Sequence, residues 1–314
     1  MSSGYPQVNI GIFGGSGLYA LLDAYDEVHV ETPYGPPSDA FMVGTLNGRS
    51  VAFLPRHGRT HSIAPHKINY RANLWAMQAL GVMGIIAPSA VGSLQAAIHP
   101  GSMVVCDQYV DRTTGRADTF YDGDQVIHVS PADPYCPLLR EHAIVAATKA
   151  GITVHQNGTL VVINGPRFST KAESKWFTSN GWHVIGMTGY PEAMLARELA
   201  MPYVNISLVT DFDAGVVAGV EPVSHSEVMR VFAENIGNVR NVLSLMIADF
   251  PDTTSSPARR ALDQPGRLDF EGRRIQLAEL GGNAVDPGQR PVEVLQVGDH
   301  DFIPQVACLQ VAQR

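Results

Sequence analysis

The sequence predicts an α/β fold in a single domain that is followed by a C-terminal extension. Short apolar runs typical of strands alternate with longer runs of helical spacing up to about residue 250. The first run, residues 8–13, leads into a Gly-Gly-Ser-Gly turn at residues 14–17 and then a predicted helix, an order that indicates a parallel α/β unit. The alternation ends after residue 250. We therefore expect the domain at residues 1–250, and a linker and extension of unknown role at residues 251–314.

The remaining elements follow from turn signals and apolar spacing. Asn47-Gly48 separates two apolar runs and suits a type I′ turn, which needs positive φ at both central residues, so it predicts a hairpin. Further strands are predicted near residues 84–87, 103–110, 159–163, 183–187 and 203–210. Helices are predicted at residues 68–80, 137–150, 171–179 and 192–200. A last long helix is predicted to begin at residue 224, where Ser224 and Glu227 form a capping box.

Composition and charge exclude several classes of protein. The 314 residues are 45% hydrophobic, which suffices for one large core, and the net charge of −8 argues against a nucleic-acid partner. Three cysteines with no metal-site spacing are typical of reduced thiols, and the first six residues do not resemble a signal peptide, so we expect a cytoplasmic protein. Residues 72–98 lack Asp, Glu, Lys and Arg, but other polar residues and glycines interrupt them, so we expect no membrane span.

Two segments near the N-terminus could bind an anion. The glycine turn could bring backbone N–H groups to a phosphate at a helix start, although it also fits an unliganded turn or a dinucleotide-dependent dehydrogenase. Arg56-His57 offers a guanidinium for phosphate oxygens and an imidazole donor, although it also fits a solvated basic loop. The spacing of His57, His61 and His66 matches no zinc signature, so we expect no metal.

Two further segments follow strands predicted to be buried. Residues 89–94 are mostly small and lie at the carboxyl end of a strand, where ligands bind in parallel sheets; tight packing is the other explanation. Asp211 and Asp213 are two apart on an extended strand and therefore face the same side. Neighbouring carboxylates raise one another's pKa, which suits an acid catalyst, although a solvated turn or a helix cap would also explain them.

Taken in order along residues 8–250, these segments resemble the methylthioadenosine phosphorylase branch of the purine nucleoside phosphorylases. The matching motifs are Gly14-Gly15-Ser16-Gly17-Leu18, Thr32-Pro33-Tyr34-Gly35, Arg56-His57-Gly58, Asp111-Arg112-Thr113, Gly165-Pro166-Arg167-Phe168-Ser169, Met187-Thr188 and Pro191-Glu192. The resemblance implies a central mixed twisted sheet flanked by helices, like that of nucleoside phosphorylases and hydrolases. It also implies a homotrimer with active sites near the subunit interfaces, and no cofactor, because inorganic phosphate is a co-substrate.

The resemblance further implies a role for individual residues. Phosphate would be bound by Ser16, Arg56, His57, Ser89, the backbone of Ala90, and Thr188. The nucleoside would be bound by Phe168, Met187, Asp211, Asp213, His128, His225 and Val228. Phe168 would stack on the base and Met187 would line the ribose. Asp211 would face purine N7 and Asp213 the 6-amino group as the two catalytic residues, while a neighbouring subunit would lend His128 to the 5′ end of the sugar.

The two carboxylates predict adenine rather than hypoxanthine, because a 6-oxo group would meet acceptors only and unpaired polar groups discriminate strongly. Gly186 stands where the branch usually carries Asn, and His225 where its methylthio pocket is apolar. His225 either covers the helix start or faces the sugar, and in the second case adenosine would compete with methylthioadenosine. A phosphorylase of broad or 6-oxopurine specificity, a hydrolytic nucleosidase that uses water, and a noncatalytic nucleoside-binding protein remain as alternatives.

Overall fold

A computed structural model describes residues 4–15, 18, 21–123, 126–219 and 225–263. In its last helix the side chains are described at residues 230 and 231 and from residue 233 onward. The strands are β1 Ile10–Gly14, β2 Tyr25–Val28, β3 Phe41–Leu46, β4 Arg49–Pro55, β5 Gly84–Ser93, β6 Met103–Val105, β7 Gln108–Arg112, β8 Val154–His155, β9 Thr159–Ile163, β10 Val184–Gly186 and β11 Tyr203–Phe212. The α-helices are α1 Tyr70–Ala79, α2 Pro137–Lys149, α3 Lys171–Ser179, α4 Gly189–Glu198 and α5 His225–Ala248.

The predicted α/β fold with a mixed central sheet is confirmed. Eleven strands form one sheet, in the order β2-β3-β4-β1-β5-β10-β9-β7, with β11 paired to β5 and β6, and β8 paired to β6. The neighbouring strands β4, β1, β5 and β11 are parallel, whereas β10 runs antiparallel to β5. Helices α2 and α5 pack against β11 and against each other, and α4 packs against β11 and α1. Apolar side chains of these strands and helices form the core, including Ile12, Ile86, Ile206, Leu139 and Leu243.

Several boundaries differ from the sequence prediction. The strand predicted at residues 103–110 is two strands, β6 and β7, which pair with different neighbours. Helix α4 begins at Gly189 rather than residue 192, across a non-helical Tyr190 that a sequence pattern cannot reveal. Where a helix is predicted after the glycine turn, residues 16, 17, 19 and 20 lie outside the described residues, and residues 22–24 are not helical. The capping residue Ser224 and residues 264–314 of the predicted extension also lie outside the described residues.

The described part of the predicted extension packs against the domain. The Thr253 hydroxyl donates to the backbone oxygen of Met83 at 2.7 Å, and Ser256, Ala258 and Leu262 are buried. Among the described residues, no helix is at once long enough and apolar enough to cross a membrane.

The register of the sheet brings the predicted site segments to one edge. Gly14 at the end of β1 pairs with Pro55 at the end of β4, so the glycine turn and Arg56 leave neighbouring strands at the same level. On the other side of β1, β5 pairs along its length with β11, which sets Asp211 opposite Gly92. Because parallel strands end at the same edge of a sheet, these segments surround one region beyond their carboxyl ends.

Candidate active site

Nine of the predicted site residues meet in one cavity of about 430 Å³, a size typical of small-molecule sites. Strands, helix starts and loops that are far apart in the sequence all contribute to its wall. The nine lining residues are Arg56, His57, Ser89, Ala90, Phe168, Met187, Thr188, Asp211 and Asp213. Gly15 and Gly186 also line it.

The other four predicted residues are not placed in this cavity. Ser16 and the side chains of His225 and Val228 lie outside the described residues. His128 is exposed in the loop between β7 and α2 and does not line the cavity of its own chain. Its assignment therefore depends on a neighbouring subunit, as the resemblance implied, and stays a prediction.

Arg56 is held by a partner that the sequence analysis did not assign to the site. Its Nε contacts Glu192 Oε1, its Nη2 donates to Glu192 Oε2 at 3.0 Å, and its Nη1 donates to the Pro88 oxygen at 3.3 Å. Both side chains are buried, with 3% and 0% exposed, and the Tyr203 hydroxyl donates to Glu192 Oε2 at 2.9 Å. One side of the guanidinium is thus bonded to Glu192 and to the Pro88 oxygen and is not available to phosphate. Only the remaining N–H groups can reach a ligand.

His57 is neutral near pH 7. Its pKa is lowered to about 4, mainly by burial and also by the nearby Arg56 and His61, against the opposing effect of a hydrogen bond to Ile63. Nδ1 lies 2.8 Å from the Ile63 oxygen, and the ring stacks on His61 with centroids 4.5 Å apart. Since a carbonyl oxygen only accepts, Nδ1 carries the proton and Nε2 of the neutral ring is an acceptor.

A buried hydrogen-bond chain reaches Ser89 from inside the sheet. Asn205 Nδ2 donates to Ser89 Oγ at 3.2 Å, and Asn205 Oδ1 accepts from the Ser207 hydroxyl at 2.7 Å. Asn205 and Ser207 are buried. Because Ser89 Oγ accepts from Asn205, its own hydroxyl hydrogen can be donated to a ligand.

Asp213 is a buried carboxylate with an unsatisfied oxygen. It is 4% exposed, its backbone N–H donates to Ser93, and its Oδ2 has no hydrogen-bond partner among the described residues. Burial raises the pKa of Asp213 and Glu173 raises it further, while the neighbouring Ser169 and Ser174 hydroxyls moderate the rise. An unpaired buried oxygen is costly, so a ligand that donates a hydrogen bond to it would be stabilised.

Asp211 lies next to Asp213, at an irregularity in β11. The register between β11 and β5 shifts between Val209 and Asp211, a bulge of the kind that redirects side chains near active sites. Asp211 Oδ1 lies 2.7 Å from the Thr210 hydroxyl. A methyl group in place of the Gly92 hydrogen would lie 3.0 Å from Asp211 Oδ2 and 3.6 Å from Asp213 Cβ. Both acids therefore converge on Gly92, and the expectation that they face the same side is confirmed.

Many of the other lining residues are apolar, among them Ile163, Pro166 and Ile185. Phe168 lies close before α3, whose start is fixed by a capping box between Thr170 and Glu173 that the sequence analysis did not identify. At Gly186, a methyl group would lie 3.3 Å from Val91 Cγ1 and 3.4 Å from Leu160 Cδ1. Residue 186 is therefore closely packed behind the cavity, which leaves little room for a side chain there.

Proteins of known family are similar to this chain over most of its length. A sequence profile described as the phosphorylase superfamily matches residues 9–248. A purine nucleoside phosphorylase from Streptomyces coelicolor is 52% identical over 253 residues, which cover 78% of this chain and 90% of the relative. An S-methyl-5′-thioadenosine phosphorylase from Thermofilum pendens is 50% identical over 260 residues, which cover 82% of this chain and 98% of the relative.

Solved structures agree with these relatives. Methylthioadenosine phosphorylase from Schistosoma mansoni in complex with adenine superposes with a TM-score of 0.74 at 37% identity, over 77% of this chain and 91% of that one. A methylthioadenosine phosphorylase sourced from an antarctic soil metagenomic library gives 0.76 at 43% identity, over 82% and 91%. The chain therefore belongs to the phosphorylase superfamily, in the methylthioadenosine phosphorylase branch of the purine nucleoside phosphorylases.

Proposed function

We propose that this protein is a pentosyltransferase that cleaves the N-glycosidic bond of a 6-aminopurine nucleoside with inorganic phosphate. The products are adenine and the sugar 1-phosphate, and the nucleoside is 5′-methylthioadenosine, a related 5′-substituted adenosine or adenosine itself. The observation that carries the proposal is the division of one cavity between anion donors and the carboxylates of Asp211 and Asp213, of which Asp213 is buried. Ser89 and Gly92 are three residues apart on β5, about 10 Å along a strand, so the two polar groups are separated by roughly the length of a nucleoside.

At the first end, Arg56, Ser89, the Ala90 backbone and Thr188 donate hydrogen bonds to phosphate beneath the anomeric carbon. His57, whose Nδ1–H is bonded to Ile63, offers Nε2 as an acceptor for a phosphate O–H instead of the donor that the sequence analysis expected. The Glu192 carboxylate fixes Arg56, so the guanidinium is oriented before phosphate arrives. A phosphate oxygen then attacks the sugar carbon as the bond to the base breaks. Positioning supplies much of the rate, and the negative phosphate stabilises the positive charge that develops on the sugar.

At the second end, Asp211 and Asp213 receive the purine. Asp211 supports the departing base at N7, and Asp213 accepts from the 6-amino group through the oxygen that is otherwise unpaired. Burial raises the pKa of Asp213, and a hydrogen bond from the 6-amino group would stabilise its buried carboxylate, so the proton that N7 of the leaving base requires is assigned to Asp211. A 6-oxo group facing Asp213 would leave two acceptors in contact, which disfavours inosine.

Similar proteins support an adenine nucleoside as the substrate. Relatives named S-methyl-5′-thioadenosine phosphorylase include those of Thermofilum pendens and Mycolicibacterium smegmatis, at 50% and 54% identity. Similar structures of the Schistosoma mansoni enzyme are described in complex with adenine and with methylthioadenosine. The proposal also includes a place in purine salvage, a homotrimer in which exposed His128 serves the neighbouring site, and a cytoplasmic location, for which the free buried thiols Cys106 and Cys136 are the support.

A substrate panel at fixed phosphate tests this proposal. Purified protein is assayed with methylthioadenosine, adenosine, other 5′-modified adenosines and inosine, each with and without phosphate. We expect phosphate-dependent release of adenine and little cleavage of inosine. Faster cleavage of inosine would contradict the roles of the carboxylates, and equal release of base without phosphate would indicate a hydrolase. The same panel is measured for His225→Val, which is expected to raise the preference for methylthioadenosine over adenosine if His225 faces the sugar.

A further inference from the structure

Arg116, which lies between β7 and α2, donates hydrogen bonds to several segments close to the cavity. Its Nη2 donates to the backbone oxygens of Met187 at 2.8 Å, Asn164 at 3.1 Å and Ile163 at 3.4 Å. Its Nη1 donates to the backbone oxygen of Tyr190, and to the Tyr70 hydroxyl at 3.2 Å. All these acceptors are oxygens of uncharged groups, and Arg116 forms no ion pair with a carboxylate in the part of the chain that the structure describes.

The acceptors belong to three separate walls of the cavity. Ile163 and Asn164 precede the loop that carries Phe168, while Met187 precedes Thr188. The third wall is reached through Tyr70, whose hydroxyl donates to the backbone oxygen of Pro65 at 2.9 Å, in the loop that also carries His57. Ile163, Pro65 and Met187 all line the cavity.

An independent observation puts these three walls in contact at Gly165. A methyl group in place of its hydrogen would lie 2.6 Å from Met187 Sδ and 3.2 Å from Pro65 Cγ. Gly165 also has a φ of +62°, which favours glycine. The loops that carry Gly165, Met187 and Pro65 are therefore in direct contact, with no space for a side chain at Gly165. A displacement of one loop would be transmitted to the others.

The bond to the Met187 oxygen also sets the orientation of the Met187–Thr188 peptide group. The Met187–Thr188 peptide is trans, since the cis peptides are at Pro166 and Pro191. In a planar trans peptide the C=O and N–H groups point in opposite directions. With the Met187 oxygen on Arg116, the Thr188 N–H points away from the guanidinium. Arg116 thus orients the backbone of a residue proposed to bind phosphate.

The segment around Arg116 is itself held firmly to α4. The Tyr190 hydroxyl donates to Asp118 Oδ2 at 2.6 Å. Glu198 accepts from the Thr119 hydroxyl at 2.8 Å and from the Phe120 N–H at 2.7 Å. The Arg116 guanidinium also lies over the Tyr70 ring, 5.3 Å from its centroid. The planar guanidinium therefore has a fixed position from which to bond several carbonyl oxygens, a geometry that a lysine cannot reproduce.

We propose that Arg116 is a positioning residue for phosphorolysis, which fixes the loops of His57, Phe168 and Met187-Thr188 relative to one another. Arg116 does not line the cavity, so it acts through the residues it bonds. The inference depends on the residue roles proposed above. A misplacement of about 1 Å at a reacting group can lower a rate about 100-fold, so the loss of this guanidinium should act mainly on kcat.

The test compares Arg116→Met and Arg116→Lys with the matched control Arg140→Met. Arg140 also donates to backbone oxygens, those of Cys106 at 3.0 Å and Gln156 at 2.8 Å, but it does not line the cavity or bond its loops. Steady-state kinetics with methylthioadenosine and phosphate are measured for each protein, together with its melting temperature. We expect kcat/KM of Arg116→Met to fall about 100-fold, mainly through kcat. Arg116→Lys should recover about tenfold of that loss, and Arg140→Met should stay within about threefold of wild type.

The inference is overturned if Arg116→Met stays within threefold of wild type, if only its KM changes, or if Arg140→Met loses as much activity at a similar melting temperature. If Arg116→Met does not fold, Arg116→Lys decides, because about a tenfold loss supports the inference and activity within threefold of wild type refutes it. The activity of the wild-type protein distinguishes a failure of this inference from a failure of the proposed function. An inactive wild type contradicts that function, whereas an active wild type with unaffected Arg116 variants contradicts the positioning role alone.

Discussion

Acidification should destabilise the ligand-free protein through His57. Its pKa is about 4 in the folded chain and about 6.5 when unfolded, so between these values the unfolded state binds more protons and stability is lost as pH falls. Each unit of pKa difference is worth about 1.4 kcal/mol. From pH 7 to pH 5 the imidazole should therefore cost about 2 kcal/mol of unfolding free energy.

The assay is urea unfolding at both pH values, followed by tryptophan fluorescence at one protein concentration. His57→Asn keeps a donor for the Ile63 oxygen but removes the titration, so it should lose about 2 kcal/mol less than wild type. His29→Asn, which removes an exposed histidine, should behave as wild type does. Saturating phosphate should shrink the difference, because an adjacent anion favours the protonated ring. Equal losses in wild type and His57→Asn would refute the reasoning.

Two further predictions concern the buried acids. Asp213→Asn should lower kcat/KM for adenine nucleosides about 10- to 100-fold, because a charged hydrogen bond is lost, and should raise the ratio of inosine to adenosine cleavage, because an amide can donate to a 6-oxo group; an unchanged ratio in the substrate panel would contradict its contact with the 6-position. Glu192→Gln should lower the free energy of unfolding by about 3 kcal/mol, because Arg56 is left buried without its charged partner. Phosphate should recover more stability in this variant than in wild type, and equal recovery in thermal melts would argue that Arg56 does not meet the anion.

The sequence predicted the fold well wherever local patterns decide it. Asn47-Gly48 turns between β3 and β4 as its turn preference requires, and Asn47 has the positive φ of a type I′ turn. The helix at residues 171–179 is found with both boundaries as predicted. The prediction of one continuous strand at residues 103–110 was wrong. The break between β6 and β7 depends on which strands they pair with rather than on their own residues.

Sequence motifs also selected most of the candidate site, but not the residues that hold it in place. Arg56 and Asp213 carry chemical groups that are recognisable in any context. Glu192 and Arg116 act through partners 136 residues and 71 residues away, at Arg56 and Met187, and such contacts exist only once the chain is folded. Gly92 had a visible signal in the run of small residues. Only the structure shows why residue 92 is a glycine, because a side chain there would approach the Asp211 carboxylate.

The phosphate end of the cavity carries less net positive charge than its Arg-His sequence suggests. Glu192 neutralises Arg56, and His57 is uncharged near pH 7. Phosphate binding as proposed then relies on directed hydrogen-bond donors, among them the Ser89 hydroxyl that Asn205 orients. This arrangement suits the reaction, because a strongly cationic pocket would compete with the sugar for the negative charge of phosphate. A nearly neutral cradle orients the anion and leaves its charge to stabilise the cationic sugar in the transition state.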